Sequence, residues 1–324
     1  MSNQKATAIS CSNIAFIKYW GNRDEKLRLP ANPSLSMNLA GLETTTTVEF
    51  VAGLEADELL IGEKAEAGAA LERVSNQLDQ IRSKAGITLK ARVESQNNFP
   101  AGAGLASSAS AFAALTVAGA AAAGLSLSEK ELSVMARLGS GSASRSVPAG
   151  FVEWQVGQTS EESFAFSIAP PNHWPLMDVI AVISKQHKHV GSTAGHALAG
   201  TSQLQAARVA SAPERLERCR EAVLAKNFAQ LAEVVEADSN LMHAVMMTSG
   251  SPLFYWEPIT LAIMKSIRAW RAEGLPVCYT IDAGPNVHCL CPAEDAPEVM
   301  RRLHENLDVK EILTAGPGGA ARLV

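Results

Sequence analysis

Alternation and β-branched runs dominate the first fifty residues. IAFIKYW (Ile14–Trp20) and TTTTVEFV (Thr44–Val51) have the residue types of strands, with GNRDEK (Gly21–Lys26) a turn between them. Between 66 and 85 the apolar positions Leu71, Val74, Leu78 and Ile81 recur at helical spacing, and Ile87–Ser95 alternates again as a strand. NNFPAGAG (Asn97–Gly104) predicts a loop and Leu105–Ala123 an alanine-rich helix closed by Gly124, while Ser128 with Glu131 forms a capping box for the next helix. The small residues of Leu138–Gly150 read as a loop or helix start, and FVEWQV and Met177–Ser184 as strands. After about 186 the pattern shifts to long amphipathic stretches at 191–211, 213–248 and 257–273. A strand (Val277–Ile281), a turn (DAGPN), a second strand (VHCLC), a helix near 294–306 and a short C-terminal strand complete the chain. Strands and helices mixed without regular βαβ alternation predict an α+β protein. A length of 324 residues fits two domains, 1–186 and 187–324, and no internal repeat is visible.

One segment stands apart. From Ser95 to Ser128 no side chain is charged. A membrane helix is the first suspicion, but the run holds a proline, several serines and glycines, and mostly alanine, which gives little transfer energy into lipid. It predicts a tightly packed internal helix preceded by a loop. Aromatic residues are only 5% of the chain, so small side chains must do much of the packing. A net charge of −5 speaks against a basic surface and against nucleic acid as a partner. Five cysteines, an odd number without paired spacing, read as reduced thiols, and MSNQKATAIS lacks a signal-peptide pattern, so a cytoplasmic protein is expected.

The loop PAGAGLASSAS (Pro100–Ser110) is the most informative local feature. Gly102 and Gly104 let backbone approach a ligand closely. The helix that follows offers free N–H groups and a favourable dipole to an anion, with the Ser107 and Ser108 hydroxyls on its first turn. It is neither a Walker A loop nor a Rossmann fingerprint, and a small-residue cap that merely permits close packing is the competing reading. Arg145 is the only charge between Arg137 and Glu153 and is suited to a bidentate carboxylate or phosphate contact, or is an exposed surface arginine. Asp282 ends an apolar strand beside a Gly-Pro turn, placed for a cleft or for an Asx-turn. Lys18, inside an apolar strand, either snorkels to solvent or pairs with an acid. His187, His189 and His196 match no common zinc signature, so no metal ligand is assigned, whereas Lys188, Ser192, Thr193 and His196 suit anion contact. No Ser-His-Asp order can be picked out.

Taken together, NIAFIKYWGNRDE (from Asn13), LPANPSLSMNL (from Leu29), NNFPAGAGLASSAS (from Asn97), GSGSASRSVPAGFVEW (to Trp154), GSTAGH (Gly191–His196), DSNLMHA (Asp238–Ala244) and YTIDAGPN (Tyr279–Asn286) resemble the diphosphomevalonate decarboxylase family, in the family's order and across nearly the whole chain. The resemblance implies the GHMP kinase fold, with an S5-like N-terminal domain carrying the phosphate loop and a ferredoxin-like C-terminal domain, as a homodimer. It implies ATP and Mg²⁺, phosphorylation of the 3-hydroxyl of a phosphorylated mevalonate, then loss of phosphate and CO₂ to give an isopentenyl product. It assigns Asp282 to the 3-hydroxyl, Arg145 with Asn13 to the substrate carboxylate, and Lys18 as nearby positive charge. Gly102, Gly104, Ser107 and Ser108 would hold ATP phosphates. Tyr19, Asn22, Ser140, Ser142, Lys188, Ser192, Thr193 and His196 would meet the substrate phosphate. Two positions depart from the family pattern: Asn22 stands where a lysine is usual and His196 where methionine is usual. Losing a fixed cation while gaining a histidine donor predicts a shift from mevalonate 5-diphosphate to mevalonate 5-phosphate, giving isopentenyl phosphate. The alternatives are the diphosphate decarboxylase proper and a 3-kinase that stops after phosphorylation.

Overall fold

The computed structural model describes residues 4–100, 106–185, 191–307, 309 and 311–324. In chain order the elements are β1 (Gln4–Ile17), β2 (Asn22–Asp24), β3 (Leu29–Pro30), β4 (Ser34–Val51), β5 (Glu58–Ile61), β6 (Lys64–Glu66), α1 (Ala69–Ala85), β7 (Lys90–Asn97), α2 (Ser107–Ala122) and α3 (Glu129–Gly139). A 3₁₀ turn (Gly141–Ser146) follows, then β8 (Phe151–Trp154), β9 (Ala165–Ala169) and β10 (Leu176–Val182). Next come α4 (Ser192–Leu198), α5 (Gln205–Ala210), α6 (Ala212–Ala225), α7 (Phe228–Met247) and α8 (Pro258–Ala272). The chain ends with β11 (Cys278–Thr280), β12 (Val287–Pro292), α9 (Ala296–Leu307), β13 (Glu311–Ala315) and β14 (Arg322–Leu323).

The first sheet is organised by β4, which pairs antiparallel with β1, β7 and β8. Along Leu42–Val51 its residues alternate buried and half-buried, so the threonine run lies half on a packed face, as β-branched side chains favour. Helices α1, α2 and α3 cover that face around Phe50, Val93, Leu78, Ile81 and Phe112. Helix α2 is buried on nearly every side, which is why its sequence has no charged face. The Gln77 amide donates to Thr116 Oγ1 at 2.8 Å, satisfying one of its few polar groups. The capping box of Ser128 and Glu131 opens α3 as expected. Among the described residues, no helix is long and apolar enough to cross a membrane.

The second sheet is antiparallel in the order β11-β12-β10-β13. Numbered within that sheet this is 2-3-1-4, the ferredoxin-like arrangement, with α4–α8 inserted after its first strand. Strand β10 precedes the expected division at 186/187, yet it hydrogen-bonds to β12 and β13. The second sheet therefore starts by Leu176, and β14 returns to pair with β1 of the first. The shift in hydrophobic period near 186 marks where helices begin, and a strand's sheet partners leave no such trace.

Other boundaries moved for local reasons. The stretch 213–248 is two helices, because Lys226 turns left-handed at φ 54° and Asn227 then caps α7 by accepting from the Gln230 N–H. The apolar period runs through the break because α6 and α7 bury their faces in the same core. The stretch 191–211 is likewise interrupted by a 3₁₀ turn at Ala199–Thr201. The short strands β5, β6 and β9 were not anticipated, and the C-terminal strand is two strands. All five cysteines are buried and unpaired.

Gly150 adopts φ +75°, and a Cβ there would lie 2.3 Å from the Ala169 carbonyl oxygen, whereas Gly86 at φ +66° has open space. Gly86→Ala is expected to lose about 1–2 kcal/mol from the left-handed backbone alone. Gly150→Ala adds an overpacking cost, for a total of about 2–5 kcal/mol. Denaturant unfolding of the two variants checks the order, and equal losses would contradict it.

Candidate active site

Strand β1 leads into the crevice between the two halves, and Lys18 lies just beyond its end with a side chain only 1% exposed. Side chains from α5, α7 and the loop between β3 and β4 hold its backbone there. The Lys18 N–H donates to Asp238 Oδ2 at 2.6 Å, and its carbonyl accepts from Arg208 Nη2 at 2.7 Å and Asn32 Nδ2 at 2.9 Å. Arg215 Nε donates to the other Asp238 oxygen at 2.7 Å. The Trp20 carbonyl accepts from Gln205 and Arg208. So fixed, Lys18 Nζ reaches Asp282 Oδ1 at 2.6 Å. An unpaired ammonium at this depth would be destabilising by several kcal/mol, so Lys18 takes the pairing alternative of its two readings. Both residues line the cavity, and Asp282, at 24% side-chain exposure, is the more accessible member of the pair.

Arg145 is buried on the 3₁₀ turn, not on the surface. Its Nη1 donates to Ser34 Oγ at 2.7 Å and its Nη2 to Asn13 Oδ1 at 3.2 Å, while Asn13 Nδ2 donates to Ser146 Oγ at 2.8 Å. Its Nε is buried without a hydrogen-bond partner among the described residues. Burial draws the Arg145 pKa down to about 10, opposed by the nearby Asp282 charge, so the group stays cationic at neutral pH.

Beside this pair, Ala106 turns left-handed at φ 50° and α2 starts with no side-chain cap. The start of α2, with Ala106, Ser107 and Ser108, faces the cavity. Ser108 Oγ lies 3.3 Å from Ser140 Oγ, which lies 3.5 Å from Ser142 Oγ. Gly141 is needed where it stands, since a Cβ would meet the Tyr19 ring at 2.6 Å. A cavity of about 260 Å³ joins these parts. Asn13, Lys18, Arg145 and Asp282 line it, as do Ser107, Ser108, Ser140, Ser142, Tyr19, Thr193 and His196. Gly102, Gly104 and Lys188 lie outside the described residues, as does the Ser192 side chain. Among the described residues no cluster of three His, Cys, Asp or Glu could hold a metal ion. An ion bound through phosphate oxygens and serine hydroxyls is the arrangement this donor set fits.

One expectation is corrected. Asn22 does not line the cavity. It accepts from the Tyr19 hydroxyl and donates to Glu25 Oε2 at 2.8 Å, so it positions Tyr19 instead. His196 lines the cavity as a neutral ring whose remaining donor is Nε2–H. Its Nδ1 accepts the Gly21 N–H at 2.9 Å, and its ring lies between Tyr19 and Trp20 with centroids 4.1 and 4.5 Å away. Burial, reinforced by the Arg28, Arg208 and Arg145 charges, draws its pKa down to about 3. The imidazole is therefore neutral, with its proton on Nε2. Helix α4, expected to offer free amides, is only seven residues long.

Arg28 also lines the cavity and was not anticipated. It has φ 48°, a left-handed conformation that costs a non-glycine residue about 1–2 kcal/mol, and its Nε donates to the Leu138 carbonyl at 2.9 Å. The only sequence signal was its position directly before the LPANPS block.

Family models give the same organisation. A diphosphomevalonate decarboxylase-like N-terminal domain matches residues 10–165, and a mevalonate 5-diphosphate decarboxylase C-terminal domain matches 178–316. The chain belongs to the diphosphomevalonate decarboxylase family. The fold is that of the GHMP kinases, and the family is one of ATP-dependent carboxy-lyases. The diphosphomevalonate decarboxylase of Aspergillus fumigatus is 42% identical over 304 residues, covering 87% of this chain and 75% of its own. Mevalonate diphosphate decarboxylase from Staphylococcus aureus superposes with a TM-score of 0.94 at 36% identity, covering 99% of this chain and 98% of its own. A relative solved in complex with MVAPP, AMPPCP and magnesium also gives 0.94 at 36% identity, over 100% and 99% of the two chains.

The neutral state of His196 has a measurable consequence. Its folded pKa lies below the unfolded value of 6.5, so the unfolded chain takes up a proton that the folded one does not. Stability present above pH 6.5 is lost as pH falls toward about 3. His196 contributes a slope of up to about 1.4 kcal/mol per pH unit in that window. Urea titrations of His196→Met across the same range are expected to show a slope shallower by that amount. Identical slopes in the two proteins would show that His196 titrates normally.

Proposed function

We propose that this family member decarboxylates mevalonate 5-phosphate with ATP, giving isopentenyl phosphate, ADP, phosphate and CO₂. The observation that carries the monophosphate reading is the chemistry of the cavity around Tyr19. The residue in place of the family's lysine, Asn22, is engaged with Tyr19 and Glu25, and His196 is neutral. A second phosphate would bring added negative charge without the cation that normally meets it.

The steps follow from the residues. The Asp282 carboxylate accepts a hydrogen bond from the 3-hydroxyl and orients it as the oxygen attacks the γ-phosphorus of ATP; ADP departs with the electrons of the broken P–O bond, and the hydroxyl proton passes to the transferred phosphoryl group, so Asp282 stays ionised. Lys18 fixes that carboxylate through their ion pair. Arg145, braced by Ser34 and Asn13, binds the substrate carboxylate. The uncapped start of α2 and the Ser107 and Ser108 hydroxyls hold the ATP phosphates. Those serines would help to hold magnesium, which would neutralise polyphosphate charge. When the C3–O bond breaks, phosphate departs with the electron pair and positive charge develops at C3. The Asp282 carboxylate stabilises it. The bond between C2 and the carboxylate then supplies the electrons of the new alkene, and CO₂ leaves.

The diphosphate reading is favoured by the names of the relatives, among them a complex with MVAPP. Paired kcat/KM measurements separate the two. A monophosphate preference of about ten-fold or more is expected, the size of one charge-assisted contact, and a preference for the diphosphate would overturn it. CO₂ release is expected to match ADP formation mole for mole, whereas ADP without gas would mean a 3-kinase. Asp282→Asn is expected to lower kcat by about 10²–10⁴, and unchanged turnover would remove Asp282 from the mechanism.

A further inference from the structure

We propose that Arg28 is the cation that binds the phosphate end of the substrate. The inference rests on reading the cavity as the site of a phosphorylated mevalonate, and it assigns that site its specificity-determining charge. Three cations line the cavity among the described residues: Lys18, Arg28 and Arg145. Lys18 is paired with Asp282, and Arg145, braced by Ser34 and Asn13, is committed to the substrate carboxylate. Arg28 has neither kind of partner. Among the described residues its one hydrogen bond runs from Nε to the Leu138 carbonyl, which anchors the guanidinium by its inner nitrogen and leaves Nη1 and Nη2, the fork that matches a phosphate, for a ligand. No carboxylate pairs with it among the described residues.

Its placement agrees. Arg28 lies in the turn between β2 and β3, and its charge acts on both Tyr19 and His196, the rings that border the cavity beside Ser140 and Ser142. The turn holds it at φ 48°, where glycine or asparagine would sit more easily. A long charged side chain kept in a disfavoured backbone conformation and aimed into a cavity is where strain accompanies ligand binding. The position also answers what is missing. The turn carries no lysine at position 22, and Arg28, six residues on, returns one positive charge to the same cavity, enough for a single phosphate.

The test measures direct binding of mevalonate 5-phosphate, mevalonate 5-diphosphate, unphosphorylated mevalonate and AMPPCP by calorimetry to the wild-type protein, Arg28→Asn and Arg28→Lys. Asparagine tolerates the left-handed backbone, so the first variant keeps the fold. Arg28→Asn is expected to weaken both phosphorylated mevalonates by about 10- to 100-fold, with mevalonate and AMPPCP unchanged. In turnover the loss is expected in KM with kcat retained, and Arg28→Lys is expected to recover part of it. Phosphorylated ligands bound within about two-fold of wild type, or an equal loss for mevalonate or AMPPCP, would overturn the assignment. The wild-type protein's own preference between the two phosphorylated ligands tests the substrate reading separately. A diphosphate preference would end that reading and leave the role of Arg28 to be decided by the variants.

Discussion

The ion pair between Lys18 and Asp282 is the contact on which the site depends. Its cation arrives at the end of a strand of the first sheet and its anion follows a strand of the second. Each charge would be expensive to bury alone, so the pair requires the two halves to meet in one register. A backbone clamp reinforces that register. Asp238 takes the Lys18 N–H, Arg208 bonds the carbonyls on either side of Tyr19, and Arg215 completes the Asp238 carboxylate. The helices after β10 therefore do more than cover the sheets: three of their charged side chains, all buried, determine where Lys18 points. These groups satisfy one another and the exposed backbone of a chain that has left its strand, which meets the requirement on polar groups away from water.

Next to this charged seam lies the opposite environment. Helix α2 is made of small uncharged residues, and the close approach of its neighbours depends on that. A Cβ on Gly119 would stand 2.6 Å from Ile81, and one on Gly139 would stand 2.2 Å from Phe112. The same smallness leaves the helix start uncapped and open toward the cavity. Packing and phosphate binding thus call for the same composition. An acidic chain with a net charge of −5 can hold anionic ligands because the charges that matter, Lys18, Arg28 and Arg145, are gathered in one crevice.

The residues around Tyr19 show how substitutions within a family pattern are absorbed. His196 sits between two aromatic rings and accepts a backbone N–H, and its surroundings exclude the proton that would make it a cation. Asn22 supports the Tyr19 hydroxyl instead of facing the ligand. His196 lines the cavity and Asn22 acts on it through Tyr19, and neither supplies charge.

Much was legible in the sequence because the signals were local. The alternation of the threonine run, the capping box at Ser128 and the uncharged helix after Glu94 follow from periods and caps that act over a few residues. Seven ordered motif blocks placed Asn13, Lys18, Arg145 and Asp282 together before any coordinates did. The tertiary structure decided what depends on distant partners. It set the pairing of β10 with β12, the turn of Asn22 away from the cavity, the loss of the His196 proton and the left-handed backbone that brings Arg28 into the site. A sequence specifies which groups are available. Their charge state, direction and sheet partner depend on burial and on neighbours that only the folded chain brings within a few ångströms.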